Sequence, residues 1–138
     1  MAAFVFKDAV IVVNSVDLTA FSNSITLNYS AELQDASCFG VDTRINLSGL
    51  KDWSIDVTFK QDFAAAAVDV TLFPLVGAVA FPITLKPTSA AISATNPEYQ
   101  GTAVLGTYNP FGGTVGDLAA ATVTFNPGGG NLVRDITP

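Results

Sequence analysis

Two long stretches of this chain alternate strictly between apolar and polar residues. The first covers residues 24–33, where the apolar positions are Ile25, Leu27, Tyr29, Ala31 and Leu33. The second covers residues 53–60, with apolar side chains at Trp53, Ile55, Val57 and Phe59. Successive side chains of an extended strand point to opposite faces of a sheet, so this pattern predicts two strands with one buried face. A helix, which needs a period of about 3.6 residues, is excluded for both stretches.

Shorter segments complete a mainly β prediction. Alternation at residues 79–85, 102–108 and 119–125 predicts further strands. The turn-forming pair Asn14-Ser15 predicts an N-terminal hairpin between residues 4–13 and 16–18. One short helix is expected at about residues 62–73, beginning at the N-cap residue Asp62 and ending near Pro74. Together these elements predict a β-sandwich or a partly closed barrel.

Some segments have no clear period. Residues 34–51 and 109–117 are expected to be long loops, which are uncommon in compact domains and usually functional. Ordering the first loop is costly, so we expect a neighbouring subunit to order it. The glycines at 128–130 indicate a flexible C-terminal tail over about residues 126–138. At 138 residues the chain has the size of a single domain, residues 1–138.

The surface is predicted to be short of charge. Charged residues make up 13% of the sequence and hydrophobic residues 49%, whereas soluble domains usually carry about 25% charged residues. Apolar surface that a fold leaves exposed commonly marks a contact with other subunits, so the composition indicates part of an assembly. The net charge of −6, with only six scattered basic residues, argues against direct capture of a nucleic acid backbone.

Reactive chemistry is expected to be absent. The chain has no histidine and one cysteine, Cys38, which excludes a histidine-based triad and most zinc sites. Cys38 is interpreted as a small buried or interface residue. The aspartate pairs at 52/56 and 62/69 are interpreted as solvated side chains, because alternation puts the first pair on the polar face of a strand. We therefore predict no enzymatic activity, no catalytic residue, no metal and no cofactor.

Residues 63–83 have the length and apolar character of a membrane span. Asp69 would be expensive near the centre of a bilayer, and Pro74 and Pro82 would interrupt the backbone hydrogen bonds that lipid requires. We interpret this segment as a short helix, a turn and a strand, and we expect no membrane association. The first residues also lack the basic and apolar regions of a secretory signal.

Four short segments carry a family resemblance. Residues 13–19 read VNSVDLT, residues 49–59 read GLKDWSIDVTF, and residues 87–91 and 93–97 read PTSAA and SATNP. With these segments, most of the chain resembles the small tail tube (major tail) proteins of long-tailed bacteriophages. The resemblance implies a β-sandwich or barrel flanked by a helix, in hexameric rings that stack into a tube for genome passage. It implies a structural virion protein, made in the bacterial host cytoplasm, that contacts itself and other tail proteins.

The same resemblance suggests roles for individual residues. In the family a long loop after the first sheet strand typically reaches the next ring, and residues 34–51 correspond to it here. Negative charge on a lumen wall would keep DNA from sticking, so a sheet face rich in Ser, Thr and Asp is predicted to line the bore. The candidate subunit contacts are Phe4, Phe6, Phe39, Arg44, Leu50 and Phe111. The candidate lumen-facing residues are Asp42, Asp52 and Asp56.

Two other classes stay open from the sequence. A capsid decoration or cement protein would also be small, β-rich, acidic and apolar at its surface, and would form trimers or bind a shell as a monomer. A carbohydrate-binding or other ligand module would need aromatic side chains exposed together. The candidates for such a platform are Tyr99, Tyr108 and Phe111.

Overall fold

Seven strands form a single antiparallel sheet in the computed structural model, which describes residues 3–137. In chain order they are β1 (Val10–Val13), β2 (Val16–Asp17), β3 (Ser22–Asp35), β4 (Asn46–Lys60), β5 (Phe81–Lys86), β6 (Glu98–Asn109) and β7 (Ala120–Asp135). Their order across the sheet is β2-β1-β5-β6-β7-β4-β3. The mainly β prediction is confirmed. The strands form one open sheet that is not closed into a barrel.

The apolar face of this sheet surrounds one core. Phe59 of β4 and Ile11 of β1 lie near opposite edges of the sheet, yet both are fully buried in the same cluster. The sheet must therefore curl around the cluster. Phe81 and Phe125 meet edge to face within it, with ring centroids 5.9 Å apart. The burial follows the alternation in the sequence, because every second residue from Trp53 to Phe59 is buried.

The predicted N-terminal hairpin is present, but its first strand begins at Val10 and residues 4–9 are not strand. Val13 pairs with Val16 across a tight turn formed by Asn14 and Ser15. Both turn residues have positive φ, at 49° and 67°. A two-residue turn of this handedness matches the twist of the strands it joins, and asparagine adopts it more readily than most residues.

The predicted helix at residues 62–73 is shorter than expected. Helix α1 spans Val68–Leu72, and a 3-10 turn follows at Phe73–Leu75. Ala66 has φ of +58°, a left-handed conformation through which a right-handed helix does not continue. Asp62 is therefore not the N-cap, and its Oδ1 accepts a hydrogen bond from the Ala64 backbone N–H (2.9 Å) in a local turn.

The predicted C-terminal tail is strand up to residue 135. Asn126 pairs with Val104, and Arg134 pairs with Tyr99, so this part of β7 lies against β6. The register shifts near the glycine triplet, where Gly130 has φ of +69°. The glycines thus accommodate an irregular stretch of a paired strand.

Candidate assembly surface

Strands β3 and β4 continue beyond the rest of the sheet as a two-stranded hairpin, which we call the arm (residues 28–52). β4 pairs with β7 only between Ile55 and Lys60, whereas its pairing with β3 continues to Asn46. All residues of the arm are exposed except Ala36, which is half-buried. The predicted loop at 34–51 is therefore strand at both ends, over residues 34–35 and 46–51. Only residues 36–45, which we call the tip, connect β3 to β4.

Large apolar side chains cover the arm. Phe39, at the tip, is fully exposed, and Leu50, within β4, is 81% exposed. The others on the arm are Tyr29, Leu33, Val41, Ile45 and Leu47. Exposed apolar side chains in this number are typical of a contact with another molecule. Three of the predicted contact residues, Phe39, Arg44 and Leu50, thus lie on one projecting element.

The tip is held by its own hydrogen bonds. The Ile45 backbone N–H donates to Ser37 Oγ (2.7 Å), and the Ala36 N–H donates to the Ile45 carbonyl (2.8 Å). Hydrogen bonds from the Ser37 side chain and backbone lower the pKa of Asp35. Arg44, predicted to pair with a neighbour, lies 3.9 Å from the Asp35 carboxylate of its own chain. The tip is thus a preformed structure, which lowers the ordering cost of an intermolecular contact.

A hydroxyl-rich face covers the outer side of β3, β4 and β7. Asp56 lies opposite Thr26 on one side and Thr124 on the other. Its Oδ2 accepts a hydrogen bond from Asn28 Nδ2 (3.0 Å), and its Oδ1 accepts one from Thr124 Oγ1 (2.9 Å). These bonds fix a carboxylate on an otherwise largely neutral surface. We call this surface the polar face.

The three aspartates predicted to line a lumen do not all lie on one face of the sheet. Asp52 and Asp56 lie four residues apart in β4, so alternation places both on the polar face. Lys60 lies on the same face at the end of that strand. Asp42 lies in the tip, away from the sheet. The sequence predicts all three on one surface. It predicts a loop over residues 34–51 and so does not show that β3 and β4 extend to Asp35 and Asn46.

A second exposed apolar segment lies between β6 and β7, at residues 110–119. Phe111 is 92% exposed there, as expected for a candidate contact. The base of the segment is anchored by Gln61 Nε2, which donates to the Pro110 carbonyl (2.9 Å) and to the Tyr108 hydroxyl (3.1 Å). Tyr108 in turn donates to Asp69 Oδ1 (2.9 Å). Burial, together with the Asp69 carboxylate, raises the pKa of Tyr108 to about 12.

The N-terminal segment presents the remaining candidates. Phe4 and Phe6 pack edge to face with ring centroids 5.0 Å apart, and both are exposed. The structure therefore places Phe4, Phe6, Phe39, Leu50 and Phe111 on the surface. They belong to three separate segments and do not form one cluster within a copy.

Sites for other chemistry receive little support. Residues 3–137 contain no cluster of three or more His, Cys, Asp or Glu side chains that could hold a metal ion. Cys38 is exposed at the tip, so it is not the buried residue that was one expectation. Tyr99 and Tyr108 lie nine residues apart on β6, about 30 Å at the rise of a strand, so the three aromatic candidates do not form one platform. No helix within the described range is long and apolar enough to cross a membrane.

Comparison with known proteins finds solved structures that share this fold. Neither a protein-family model nor a curated protein matches the sequence. A chain of the virion of a native gene transfer agent particle superposes with a TM-score of 0.73 at 16% identity, over 96% of this chain and 98% of the other. The chain shares its fold with this virion protein. The resemblance noted in the sequence is thus confirmed at the level of the fold.

Two further structures, one from a tail and one from a sheath-tube complex, share this fold. One is a chain of the tail of an empty gene transfer agent particle with C6 symmetry, with a TM-score of 0.68 at 14% identity over 86% of this chain and 85% of the other. The second belongs to the sheath-tube complex of an extracellular contractile injection system in its extended state. Its TM-score is 0.66 at 14% identity, over 94% of this chain and 89% of the other.

Proposed function

We propose that this chain is a structural subunit of a phage-type tail tube. Copies assemble into hexameric rings, and the rings stack into a conduit for the genome. The fold supports this role, because it is shared over most of the chain with proteins from tails and injection systems. The observation that carries the proposal is the arm, a projecting ribbon whose apolar side chains have no cover inside the subunit.

Ring formation is proposed to use the open edges of the sheet. β3 has a partner on one side only, so the backbone along its 14 residues presents a long unpaired edge. The opposite edge is the two-residue strand β2. Proteins normally cover or disrupt so long an edge because it invites pairing with other chains. A neighbouring copy covers β3 in this proposal, and such head-to-tail contacts close into a ring when the rotation permits.

The polar face is proposed to line the conduit. Asp52 and Asp56 repeat in every copy, and threonine hydroxyls occupy the positions beside Asp56. Carboxylates repel phosphates, while neutral hydroxyls offer no charge that would retain them. Asp42 is assigned elsewhere, because it lies at the tip and off this face. The lining therefore carries a weak negative charge. Lys60 is the one basic residue on this face of β4, so the face has no row of cations.

The wider role follows from this assembly. The chain is proposed to act without catalysis, to be made in the bacterial host cytoplasm and to reside in the tail of the virion. Its partners are further copies of itself and other tail proteins at the ends of the tube. Phe111 and the segment around it, and Phe4 with Phe6, are proposed as further contacts between copies because their rings are exposed.

Negative-stain electron microscopy and light scattering of the purified protein test this proposal. The expected result is rings of even bore at moderate concentration and stacked tubes at high concentration, with a scattering mass that rises with concentration. A monomer at every concentration and salt would contradict it. Compact trimers, or monomers that bind only to a capsid shell, would instead support a decoration protein.

A further inference from the structure

A cavity of about 460 Å³ opens where the curled sheet fails to close. The start of β3 forms one wall, and the end of β5 with the N-terminal segment forms the other. We call this cavity the slot. Its apolar lining comes from Phe6, Val10, Ile25, Leu27, Leu85 and Tyr99. Cavities of this size commonly hold a sizeable apolar group.

We propose that the slot receives the tip of the arm from a second copy of this chain. This inference rests on the proposed function, since it names the surface that an arm meets in the assembled tube. The tip carries the exposed apolar side chains of Phe39 and Val41. These two side chains are apolar, as is much of the lining of the slot. The slot is open to solvent.

Charge complementarity supports this occupant. Lys7 and Lys86 lie at the rim of the slot, and Asp42 lies next to Val41 in the tip. Asp8, the acidic group at the rim, already accepts hydrogen bonds from the Ser89 hydroxyl (2.8 Å) and backbone N–H (3.3 Å). Arg44, the basic residue of the tip, lies beside Asp35 of its own chain. Lys86 Nζ donates to the Ala90 carbonyl (3.2 Å), a neutral acceptor that leaves its positive charge at the rim. Asp42 is thus the acidic group that the tip has available for the two lysines.

The geometry requires that the tip come from another copy. Leu27 in the slot and Asp35 at the base of the tip lie eight residues apart in β3, about 27 Å at the usual rise of a strand. Paired with β4 along this length, the ribbon does not fold back. A tip and a slot are different surfaces, so the contact is head-to-tail and propagates from copy to copy.

Disulfide trapping tests the contact with the native Cys38, which is exposed beside Phe39 at the tip. Asn23→Cys puts a thiol on one wall of the slot, and Lys86→Cys puts one on the other wall. A disulfide forms only when the two Cα atoms come within about 7 Å. Thr122→Cys, exposed on the polar face, is the matched control. Assembled protein is oxidised with copper-phenanthroline and separated on a non-reducing gel.

The expected result is a ladder of trimers and larger species for at least one slot variant. Each copy then carries one thiol in the tip and one in the slot, whereas Cys38 alone links no more than two chains. Adding Cys38→Ser to the same variant should abolish the ladder. If tubes are seen in the microscope but neither slot variant gives a ladder, the slot contact is overturned and the tube proposal stands. The same holds if Thr122→Cys gives an equal ladder. Monomers throughout would overturn both.

Discussion

Gly101 lies against the ring of Trp53, where a side chain has no room. A Cβ at this position would lie 2.8 Å from Cζ2 of Trp53, and the indole is 3% exposed and held in the core. We expect Gly101→Ala to lower the free energy of unfolding by about 1–3 kcal/mol, the usual range for overpacking. Urea denaturation followed by fluorescence measures it directly, since Trp53 is the single tryptophan.

Gly106→Ala, in the same strand, is the control for this overpacking. The nearest atom to its new Cβ would be Asn126 Nδ2 at 3.5 Å, an ordinary contact distance. Its free energy of unfolding should change by no more than about 0.5 kcal/mol. Equal losses for the two variants would show that the packing against Trp53 is not the cause.

Tyr108 should make stability depend on pH in the alkaline range. Its pKa in the folded chain is about 12, above the value of about 10 expected when unfolded. Since the folded pKa is the higher one, the stabilisation is fully present below pH ~10 and is lost as the pH rises towards ~12. We expect Tyr108→Phe to cost about 1 kcal/mol at neutral pH through the lost hydrogen bonds.

The difference in stability between wild type and Tyr108→Phe should shrink between pH 10 and 12. Denaturation of both proteins at a series of pH values measures that difference. Subtracting the two free energies of unfolding removes the contribution of lysines, which titrate in both proteins. Tyr29→Phe, which removes a hydroxyl from the exposed arm, is the control variant measured in parallel. A constant difference across this range would contradict the role of the Tyr108 hydroxyl.

At the scale of elements, the arm should be separable from the fold. Replacing residues 36–45 by Asn-Gly removes the tip and joins Asp35 to Asn46 through a tight two-residue turn. The core lies outside this segment, so the melting temperature should stay within a few degrees of wild type. Stacked tubes should be lost, because Phe39 and Val41 are gone.

Light scattering and electron microscopy measure the effect of removing the tip. Val79→Ser is the control, because it removes an 87% exposed apolar side chain outside the arm and should leave the tubes intact. Normal tubes from the shortened protein would place the stacking contact elsewhere. A protein that no longer folds would show instead that the tip supports the monomer.

Sequence periodicity predicted the strands well and the segments between them less well. The alternation around Trp53 and Ile55 predicted a strand with one buried face, and both side chains are buried in the core. The same alternation at Tyr29 and Leu33 lies on the arm, where both side chains are exposed. Alternation predicts which face of a strand is apolar, but it does not predict whether that face is covered by the same chain or by another molecule. The alanines at 64–67 favour a helix by propensity, but Ala66 has a positive φ and the helix begins only at Val68.

At the scale of the whole molecule, the isolated subunit exposes more surface than its mass predicts. Its accessible area is 8790 Å² for 14.3 kDa, whereas a compact monomer of this mass exposes about 6,800 Å². The excess of about 2,000 Å² is close to the total area that a specific protein interface buries. Together with the low charge, this excess indicates a subunit shaped for contact with other copies.

The last prediction concerns how an assembled tube treats DNA. Asp52→Lys with Asp56→Lys turns the proposed lining from acidic to basic, so phosphates inside the tube should be held by ion pairs. Because retention by lysines releases counterions, it should weaken steeply as salt rises, with a log–log slope of about −0.9 for each phosphate contact on a duplex.

Retention is measured by incubating tubes with labelled duplex DNA, adding nuclease and counting the DNA that survives, since only DNA inside the bore is protected. Wild-type tubes should protect little, and the double lysine variant should protect more at low salt than at high salt. Asp52→Asn with Asp56→Asn, which removes charge without reversing it, should lie between them. Tube assembly should survive in all three proteins, because both aspartates are exposed and lie outside the apolar arm contacts. If the DNA held by the lysine variant were fully nuclease-sensitive, the polar face would lie on the outer wall, and the acidic balance would serve solubility instead of passage.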